Sequence, residues 1–411
     1  MNARARKRPP DARPRHLHLA DLHGAGRLLL LGVEVLVDQV EVLHLKLRGE
    51  PLAPPGAGGV AGMVFRRVKS TIGVSGRWIG RRRPFGAPAA ARHSTAEREA
   101  VLAALNGLFG DLLARTGNPL AIPMRLRAHG KPLALTRQAL AALPGAGPKL
   151  LILVHGLCRC DLQWRRAGHD HGAALARDLG YTALYLHYNS GRHISTNGRA
   201  LAALLEALVA AWPGPVEEIA LLTHSMGGLV ARSACHYAEQ AGHGWRAQLR
   251  HLVFLGTPHH GAPLERHGNW LTAVLGRSMI TAPFARLGQL RSAGITDLRH
   301  ANLVDADWRG RNRFHHGGEL PRPLALPAGV GCYTVAGTTG RREGDLRDRL
   351  LGDGLVPLDT ALGRHADPAR SLAFPASHQW IGFGMHHLDL LNRQEVYAQL
   401  RYWLGKRVRR R

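Results

Sequence analysis

Cysteine is scarce in this 411-residue chain, which contains four: Cys158, Cys160, Cys235 and Cys332. These are too few for a disulfide framework in a chain of this length, so we expect reduced thiols and a cytoplasmic location. Cys158 and Cys160 form a C-x-C pair, but a zinc site normally needs a second pair of ligands, and we interpret both as loop thiols. We expect neither a metal nor an organic cofactor.

Long apolar runs are also missing. The longest one near the N-terminus, Leu28–Val37, is interrupted by Gly32 and Glu34 and is too short to span a bilayer. Its length would suit the core of a signal peptide, but acidic residues precede it and no A-x-A-like cleavage site follows. The sequence therefore predicts neither a transmembrane segment nor a targeting signal.

Acidic residues are few, 29 against 55 basic ones, and the formal net charge is +26. Only six of the basic residues are lysines, and Arg, Ala, Gly and Leu are used heavily throughout. Because genome composition also produces this bias, we do not expect a nucleic-acid partner, whereas contact with an anionic membrane surface stays open. The apolar fraction of 45% is ordinary for a globular protein and allows a sizeable core.

The N-terminal segment differs in pattern from the rest of the chain. Residues 1–15 are basic and rich in proline, and we expect a disordered tail there. Residues 16–93 predict a helical extension and linker, with amphipathic helices at Arg27–Arg48 and Val60–Ile79. A basic amphipathic helix can lie on an anionic membrane, but such patterns more often mark a face packed against the protein.

From residue 94 onward the pattern is that of one α/β domain, residues 94–411. Ser94, followed by Glu97, predicts a capped helix, and residues 121–135 predict a β-hairpin. Beyond them, apolar strands alternate with helical patterns, which requires a mostly parallel sheet covered on both faces. A cap or lid insertion at about 262–328 breaks this rhythm. The predicted strands are 149–154, 182–187, 218–223, 250–256, 330–336 and 371–374, and the predicted helices lie near 170–179, 198–211, 226–240 and 388–404.

Ser225 is the candidate nucleophile, because it lies where a short apolar strand passes directly into a helical pattern. Such a turn requires small residues two positions away on either side. Gly227 meets this requirement, whereas Thr223 departs from the first glycine of G-x-S-x-G. The N–H of Met226, at the start of the helix, is a candidate oxyanion donor, and the N–H of Leu157, after the strand at 149–154, is the second.

A serine nucleophile needs a base within hydrogen-bond reach and a carboxylate that orients the base. Asp353 is the candidate carboxylate because glycines flank it after the strand at 330–336, and Asp345 and Asp348 are nearby alternatives. Two adjacent histidines, His386 and His387, precede the last helix. Composition does not choose between them as the base.

Together these segments resemble the serine hydrolases of the α/β-hydrolase superfamily, and more narrowly its bacterial lipase-like and esterase-like branch. Similar proteins include triacylglycerol lipases, deacylases that act on lipid anchors, and bacterial hydrolases with an N-terminal helical extension. The matching segments are Leu153–Leu157, Thr223–Gly228, Leu255–Pro263, Asp353–Pro357 and His387–Leu391. The resemblance extends over about residues 120–405 and favours His387 over His386.

The resemblance implies an α/β-hydrolase fold, with a mostly parallel central sheet, helices on both faces and a helical cap, and a serine esterase or lipase-like activity. Ser225 would attack an acyl carbonyl, His387 would take its proton, and Asp353 would orient His387. The N–H groups of Leu157 and Met226 would hold the oxyanion.

Residues 262–300 lie where lipase-like enzymes have a lid, and their apolar side chains favour a small-molecule or lipid ester as substrate. These side chains would equally serve to pack a cap onto the sheet. The same triad also serves amidases, thioesterases and acyltransferases. A non-catalytic, membrane-associated binding protein is the alternative of a different class, and the complete set of three triad residues argues against it.

Overall fold

A computed structural model describes residues 18, 20–29, 94–262, 292–310, 323–342 and 352–406. The chain divides into two units, one of which consists of residues 99–112 and 122–411. Several predicted segments lie outside the described residues. They are the tail at 1–15, the helix at 60–79, most of the helix at 27–48 and most of the lid.

The other unit contains a helix over residues 20–29, which begins before the predicted start at Arg27. Within this unit, Asn118 Nδ2 donates to Gly24 O at 3.0 Å. Arg98 forms an ion pair with Asp21, with its Nη2 2.5 Å from Asp21 Oδ1. These contacts join the segment to residues much later in the chain.

The helix predicted after Ser94 is present as α1, Ala96–Arg115. Its cap differs from the prediction, because Thr95 Oγ1 accepts the hydrogen bond from the Arg98 backbone N–H at 3.3 Å. Ser94 Oγ accepts from the Arg98 side chain instead, at 2.9 Å. Serine and threonine are both good N-cap residues. The helix begins one residue later than predicted, so the hydroxyl of Thr95 faces the free N–H.

The described residues form one sheet of eight strands in the order β2-β1-β4-β3-β5-β6-β7-β8. Strand β1 pairs antiparallel with β2 and β4, and the pairs from β4 through β3 to β8 are parallel. The strands are β1 Arg125–Ala128, β2 Lys131–Pro132, β3 Lys149–Val154, β4 Thr182–His187, β5 Glu218–His224, β6 Leu249–Leu255, β7 Gly331–Thr338 and β8 Gln379–Phe383.

Helices connect most of the strands. They are α2 Arg137–Ala141, α3 His171–Leu179, α4 Ile194–Ala211, α5 Met226–Gln240, α6 Ala293–His300, α7 Leu358–Ala361 and α8 Gln394–Leu404. Single 3-10 turns lie at Asp161–Trp164, Gly244–Ala247, Asp305–Asp307, Pro368–Arg370, Ala376–His378 and Asp389–Leu391. In the described part of the chain, no helix combines the length and apolar character that crossing a bilayer requires.

Both faces of the sheet are covered, as the continuous apolar strands predict. Leu151 and Leu153 of β3 belong to a buried cluster with side chains of α3 and α8. Their neighbours Leu150 and Ile152, which point to the opposite face, are also fully buried. Helices α4 and α5 pack against each other, and α5 also contacts β3, β5 and β6.

The last strand is the main error in the predicted sheet. Residues 371–374 are not a strand, because Leu372 N donates to Gly363 O at 2.8 Å and Pro375 follows at once. The edge strand is β8, where Ile381 pairs with Ala336. Strand β8 is only partly buried, so its apolar signal is weak. The closing helix also begins later than predicted, at Gln394.

This strand order, with an antiparallel hairpin at one edge and a crossover on each side of β3, is that of the α/β-hydrolase fold, as predicted. The register places Val154 beside Thr223 and Leu255 beside Val335. The carboxyl ends of β3, β5, β6 and β7 therefore meet at one edge. Because the strand order reverses at β3, this edge is where ligand crevices form in open α/β sheets.

Arg127 of β1 lies between two buried carboxylates. Its Nη1 is 2.9 Å from Glu99 Oε2 and 3.1 Å from Asp161 Oδ1. His187 Nδ1, at the end of β4, lies 2.9 Å from the same Asp161 oxygen. Burial raises the pKa of the Asp161 carboxyl, but the hydrogen bond and charge of His187 and the charge of Arg127 outweigh it and lower that pKa. This ion cluster joins α1, β1 and β4.

Replacing Arg127 with Met should destabilise the protein by about 3–5 kcal/mol, because two buried carboxylates lose their fixed cation. Arg177→Met is the matched control, since Arg177 is exposed and its pair with Asp178 should contribute little. Urea unfolding monitored by tryptophan fluorescence measures both changes. An equal, small shift of the two midpoints would contradict a structural role for the buried cluster.

Candidate active site

Ser225 lies at the sharp turn between β5 and α5, with φ of 55° and ψ of −129°. Its backbone is held on both sides. Ser225 N donates to Leu255 O at 2.8 Å, and Thr257 Oγ1 donates to Ser225 O at 3.0 Å. The end of β6 and the residues after it thus fix the serine in a conformation that non-glycine residues rarely adopt.

The neighbours of the turn are small because other backbone segments approach it closely. A Cβ at Gly227 would lie 2.4 Å from Val154 O, and a Cβ at Gly156 would lie 2.8 Å from Ser225 Cβ. Thr223, the departure from the glycine pattern, is fully buried, and its Oγ1 donates to Val253 O at 2.9 Å. Its hydroxyl is therefore accommodated by the neighbouring strand.

Asp353 and His387 form a buried pair. His387 Nδ1 lies 2.6 Å from Asp353 Oδ2, and the two side chains come from the loops after β7 and β8. The other carboxylate oxygen, Asp353 Oδ1, accepts the N–H groups of Leu355 and Val356 at 3.0 and 2.8 Å. Because a carboxylate only accepts, Nδ1 of His387 donates, which leaves Nε2 free to take a proton.

The alternatives for the acid and the base have other positions. His386 is exposed, and its backbone N–H donates to Asp389 Oδ2 at 2.9 Å. Asp345 and Asp348 lie outside the described residues. Of the two adjacent histidines, the structure brings His387 to Asp353.

His224, which the sequence did not identify as part of the site, supports His387. Its Nε2 donates to His387 O at 3.2 Å, and the centroids of the two rings are 4.5 Å apart. Burial, with the charges of His387 and Arg159, lowers the pKa of His224 well below its ordinary value. The ring is therefore neutral at physiological pH and serves as a fixed donor.

The loop after β3 is held by a second buried histidine. His155 stacks on Tyr188, which donates from Oη to His155 O at 2.8 Å. His155 Nδ1 donates to Gly156 O at 2.9 Å, and burial lowers the pKa of this ring to about 3. Because the C=O and N–H of a trans peptide point in opposite directions, this bond turns the N–H of Leu157 away from His155.

Leu157 and Met226 are the predicted oxyanion donors: Leu157 lines the same cavity as Ser225, and Met226 follows Ser225 in the chain. Met226 is the first residue of α5, so its N–H has no acceptor within its own helix. In the described part of the chain, neither N–H donates to another protein group. Both donors are free, and the N-terminal end of α5 favours negative charge.

A cleft of about 480 Å³, which includes space open to solvent, lies beside these groups and is called the cavity below. Most of its lining side chains are apolar, whereas Ser225, His387, His224 and Arg159 add polar groups. The lining residues are Gly156, Leu157, Arg159, His224, Ser225, Pro258, Ala262, Leu298, Leu355, Val356, His387 and Leu388. Asp353 is not one of them, because its carboxylate lies behind His387.

Cys158 and Cys160 are buried, and burial raises the pKa of each thiol to about 12. Within the described ranges, Glu99, Asp161 and His187 are the group whose ligand atoms lie close enough to share a metal ion. Arg127 already supplies a cation to both of these carboxylates. The cluster therefore fits an internal ion network better than a metal centre.

Comparison with known proteins gives one family match: a family described as a domain of unknown function, DUF7379, whose model matches residues 97–297. No curated protein matches the chain.

Several solved structures are similar to this chain. The mature lipase BlEst2 of Bacillus licheniformis is 20% identical, with 62% of this chain and 90% of that chain covered and a TM-score of 0.40. Lipase B of Aspergillus fumigatus is 12% identical, with 92% and 79% covered and a TM-score of 0.39. The esterase Pf2001 of Pyrococcus furiosus is 14% identical, with 64% and 82% covered and a TM-score of 0.38. Because these identities and TM-scores are low, the fold is assigned here from the strand order alone.

Proposed function

We propose that the protein is a serine hydrolase that cleaves carboxylic esters, with Ser225 as nucleophile, His387 as base and Asp353 as the orienting carboxylate. The observation that carries this proposal is the 2.6 Å bond between His387 Nδ1 and Asp353 Oδ2. It holds His387 on the wall of the cavity that Ser225 also lines. The strained turn of Ser225 at the start of α5 supports the nucleophile.

In the acylation step, Ser225 Oγ attacks the ester carbonyl while His387 Nε2 accepts the hydroxyl proton. The carbonyl oxygen becomes an oxyanion that accepts hydrogen bonds from the N–H groups of Leu157 and Met226, each worth about 3 kcal/mol in the transition state. Protonated His387 then gives its proton to the leaving alcohol. Asp353 keeps the ring in the tautomer that this transfer requires.

Deacylation repeats the sequence with water as the nucleophile. His387 takes a proton from water, the hydroxide adds to the acyl carbonyl, and the proton returns to Ser225 Oγ as the acid is released. The apolar cavity wall favours substrates with an acyl chain. An amidase, thioesterase or acyltransferase would use the same groups with a different leaving group or acceptor.

Location and membrane contact stay predictions from the sequence. We propose a cytoplasmic enzyme that contacts a membrane peripherally through the basic amphipathic segments at 27–48 and 60–79, with a small-molecule or lipid ester as substrate and no nucleic-acid partner. Most of these two segments lies outside the described residues.

Ser225→Ala should abolish labelling by a fluorophosphonate probe, because the probe reacts only with a serine activated by a base and an oxyanion site. The control is Ser377→Ala, which removes an exposed hydroxyl far along the chain. In-gel fluorescence of the full-length protein measures the labelling. A folded wild type that takes no label would refute the hydrolase mechanism and favour the binding-protein alternative.

His387→Gln should lower kcat for 4-nitrophenyl butyrate by about 10³-fold or more, because the general base is lost. The adjacent His386→Gln is the matched control and should stay within a few-fold of wild type. Steady-state kinetics with purified variants of equal thermal stability provide the test. Comparable losses in the two variants would mean that the base is assigned to the wrong residue.

Asp353→Asn should lower kcat by about 10⁴-fold, because an amide can donate to Nδ1 and so favour the wrong tautomer of His387. Asp389→Asn, in the loop that carries His387, is the control, since its remaining oxygen can still accept the His386 N–H. If KM rises while kcat is unchanged in Asp353→Asn, the carboxylate does not act on the base.

A further inference from the structure

Arg159 is the one residue with a permanent charge in the described lining of the cavity. It lies two residues after Leu157, in the loop that follows β3, and its side chain is only partly exposed. Burial lowers the pKa of the guanidinium, as expected for a cation partly removed from water. A partly buried cation normally has a carboxylate or another acceptor beside it.

No such partner is present for Arg159 in the part of the chain that the structure describes. Its side chain makes no hydrogen bond and no ion pair within the described residues, and the charged group that acts on it there is a second cation, Arg166. The carboxylate of the site, Asp353, is already engaged by His387, Leu355 and Val356. The guanidinium is therefore available to a ligand in the cavity.

The backbone fixes where this charge lies. Cys158, which precedes Arg159, has a φ of 57°, and its N–H donates to Ser190 Oγ at 3.0 Å. The Cys158 side chain is buried against α1 at Gly107, where a Cβ would lie 2.1 Å from Cys158 Sγ. The left-handed conformation at Cys158 therefore turns its thiol into the core and leaves Arg159 on the cavity wall.

The remaining polar groups of the wall do not compensate the charge. His224, which lines the same cavity, is affected by the positive charge of Arg159 and is itself neutral. The other ring at the wall is His387, which becomes positive during the proposed reaction. The cavity therefore presents a positive potential inside an apolar lining, which selects a ligand with an anionic group and an apolar part.

We propose that Arg159 is a substrate-binding residue that pairs with an anionic group of the ester, such as a carboxylate or phosphate. This inference rests on the proposed esterase function and narrows it to acidic esters. A guanidinium can bind either anion through two parallel hydrogen bonds. Two backbone N–H groups are already free for the oxyanion, so the guanidinium is not needed there.

The test compares matched pairs of charged and neutral esters. On the acyl side, 4-nitrophenyl hemisuccinate is paired with 4-nitrophenyl 4-methylpentanoate, in which an isopropyl group replaces the carboxylate. On the alcohol side, the acetate of 3-hydroxybenzoate is paired with that of 3-methylphenol. The ratio of kcat/KM, charged over neutral, is measured in each pair for the full-length wild type, Arg159→Met, Arg159→Lys and Arg165→Met.

Wild type should prefer the charged ester in one of the two pairs, and that pair identifies the side of the scissile bond that carries the anion. Arg159→Met should lower this ratio by about 10- to 100-fold, the range expected for a charge-assisted hydrogen bond. Arg159→Lys should restore part of the ratio. Arg165 is exposed and does not line the cavity, so Arg165→Met should leave the ratio unchanged.

Two results would overturn the inference: no preference for the charged ester in either pair, or the same ratio in Arg159→Met as in wild type. The second result includes the case in which Arg159→Met loses activity equally on the charged and the neutral ester. A purely structural role of Arg159 would give that outcome. Fluorophosphonate labelling of each protein distinguishes failure of the Arg159 proposal from failure of the esterase proposal. A labelled wild type without charge preference refutes only the role of Arg159, whereas an unlabelled wild type refutes the esterase function itself.

Discussion

The φ of 55° and ψ of −129° at Ser225 cost a non-glycine residue about 1–3 kcal/mol, so the surrounding structure must hold the turn in place. The hydrogen bonds to Leu255 O and from Thr257 Oγ1 do this from the side of β6. The same turn brings α5 and the loop after β3 close together, which is why Gly227 and Gly156 leave no room for a Cβ. The small residues around Ser225 are thus consequences of one backbone conformation.

A second consequence lies at the end of β6. Gly256 has a φ of 57°, and a Cβ there would lie 3.1 Å from both Asp353 Oδ2 and His387 Cε1. The strand that fixes the serine turn therefore also leaves the space in which the acid–histidine pair packs. His224, next to Ser225 in the chain, holds the backbone of His387 through its own ring. The serine turn and the loop that carries His387 are therefore in direct contact.

Much of this fold could be predicted from the sequence, because its central strands are continuous apolar runs and a parallel sheet needs both faces covered. The turn at Ser225 could also be predicted, because an apolar strand passes directly into a helical pattern there and such a turn needs small residues close to it. The errors arose where burial is partial. Strand β8 is a half-exposed edge, and the choice between Ser94 and Thr95 as cap depends on which hydroxyl meets a free N–H.

The supporting residues of the site could not be predicted, because their roles depend on contacts between distant segments. His155 and His224 look like two of 25 histidines in the sequence, and only packing shows that each is neutral and holds a backbone carbonyl. Position 223 holds a threonine where the pattern expects a glycine. The acceptor for its hydroxyl, Val253 O, lies on the neighbouring strand, which the sequence does not reveal.

Arg159 shows most directly how local backbone conformation places chemistry. In an extended loop, alternate residues point to opposite sides, and nothing in the C-x-C pattern indicates that the residue between the cysteines faces a cavity. The positive φ at Cys158 sets that direction once the thiol packs against Gly107. A single loop then carries Leu157, whose N–H is a proposed oxyanion donor, and Arg159, the proposed binding residue for an acidic group. Because both are fixed by the same turn, an anion held by Arg159 would position the scissile carbonyl relative to the Leu157 N–H, so that recognition and transition-state stabilisation depend on one backbone geometry.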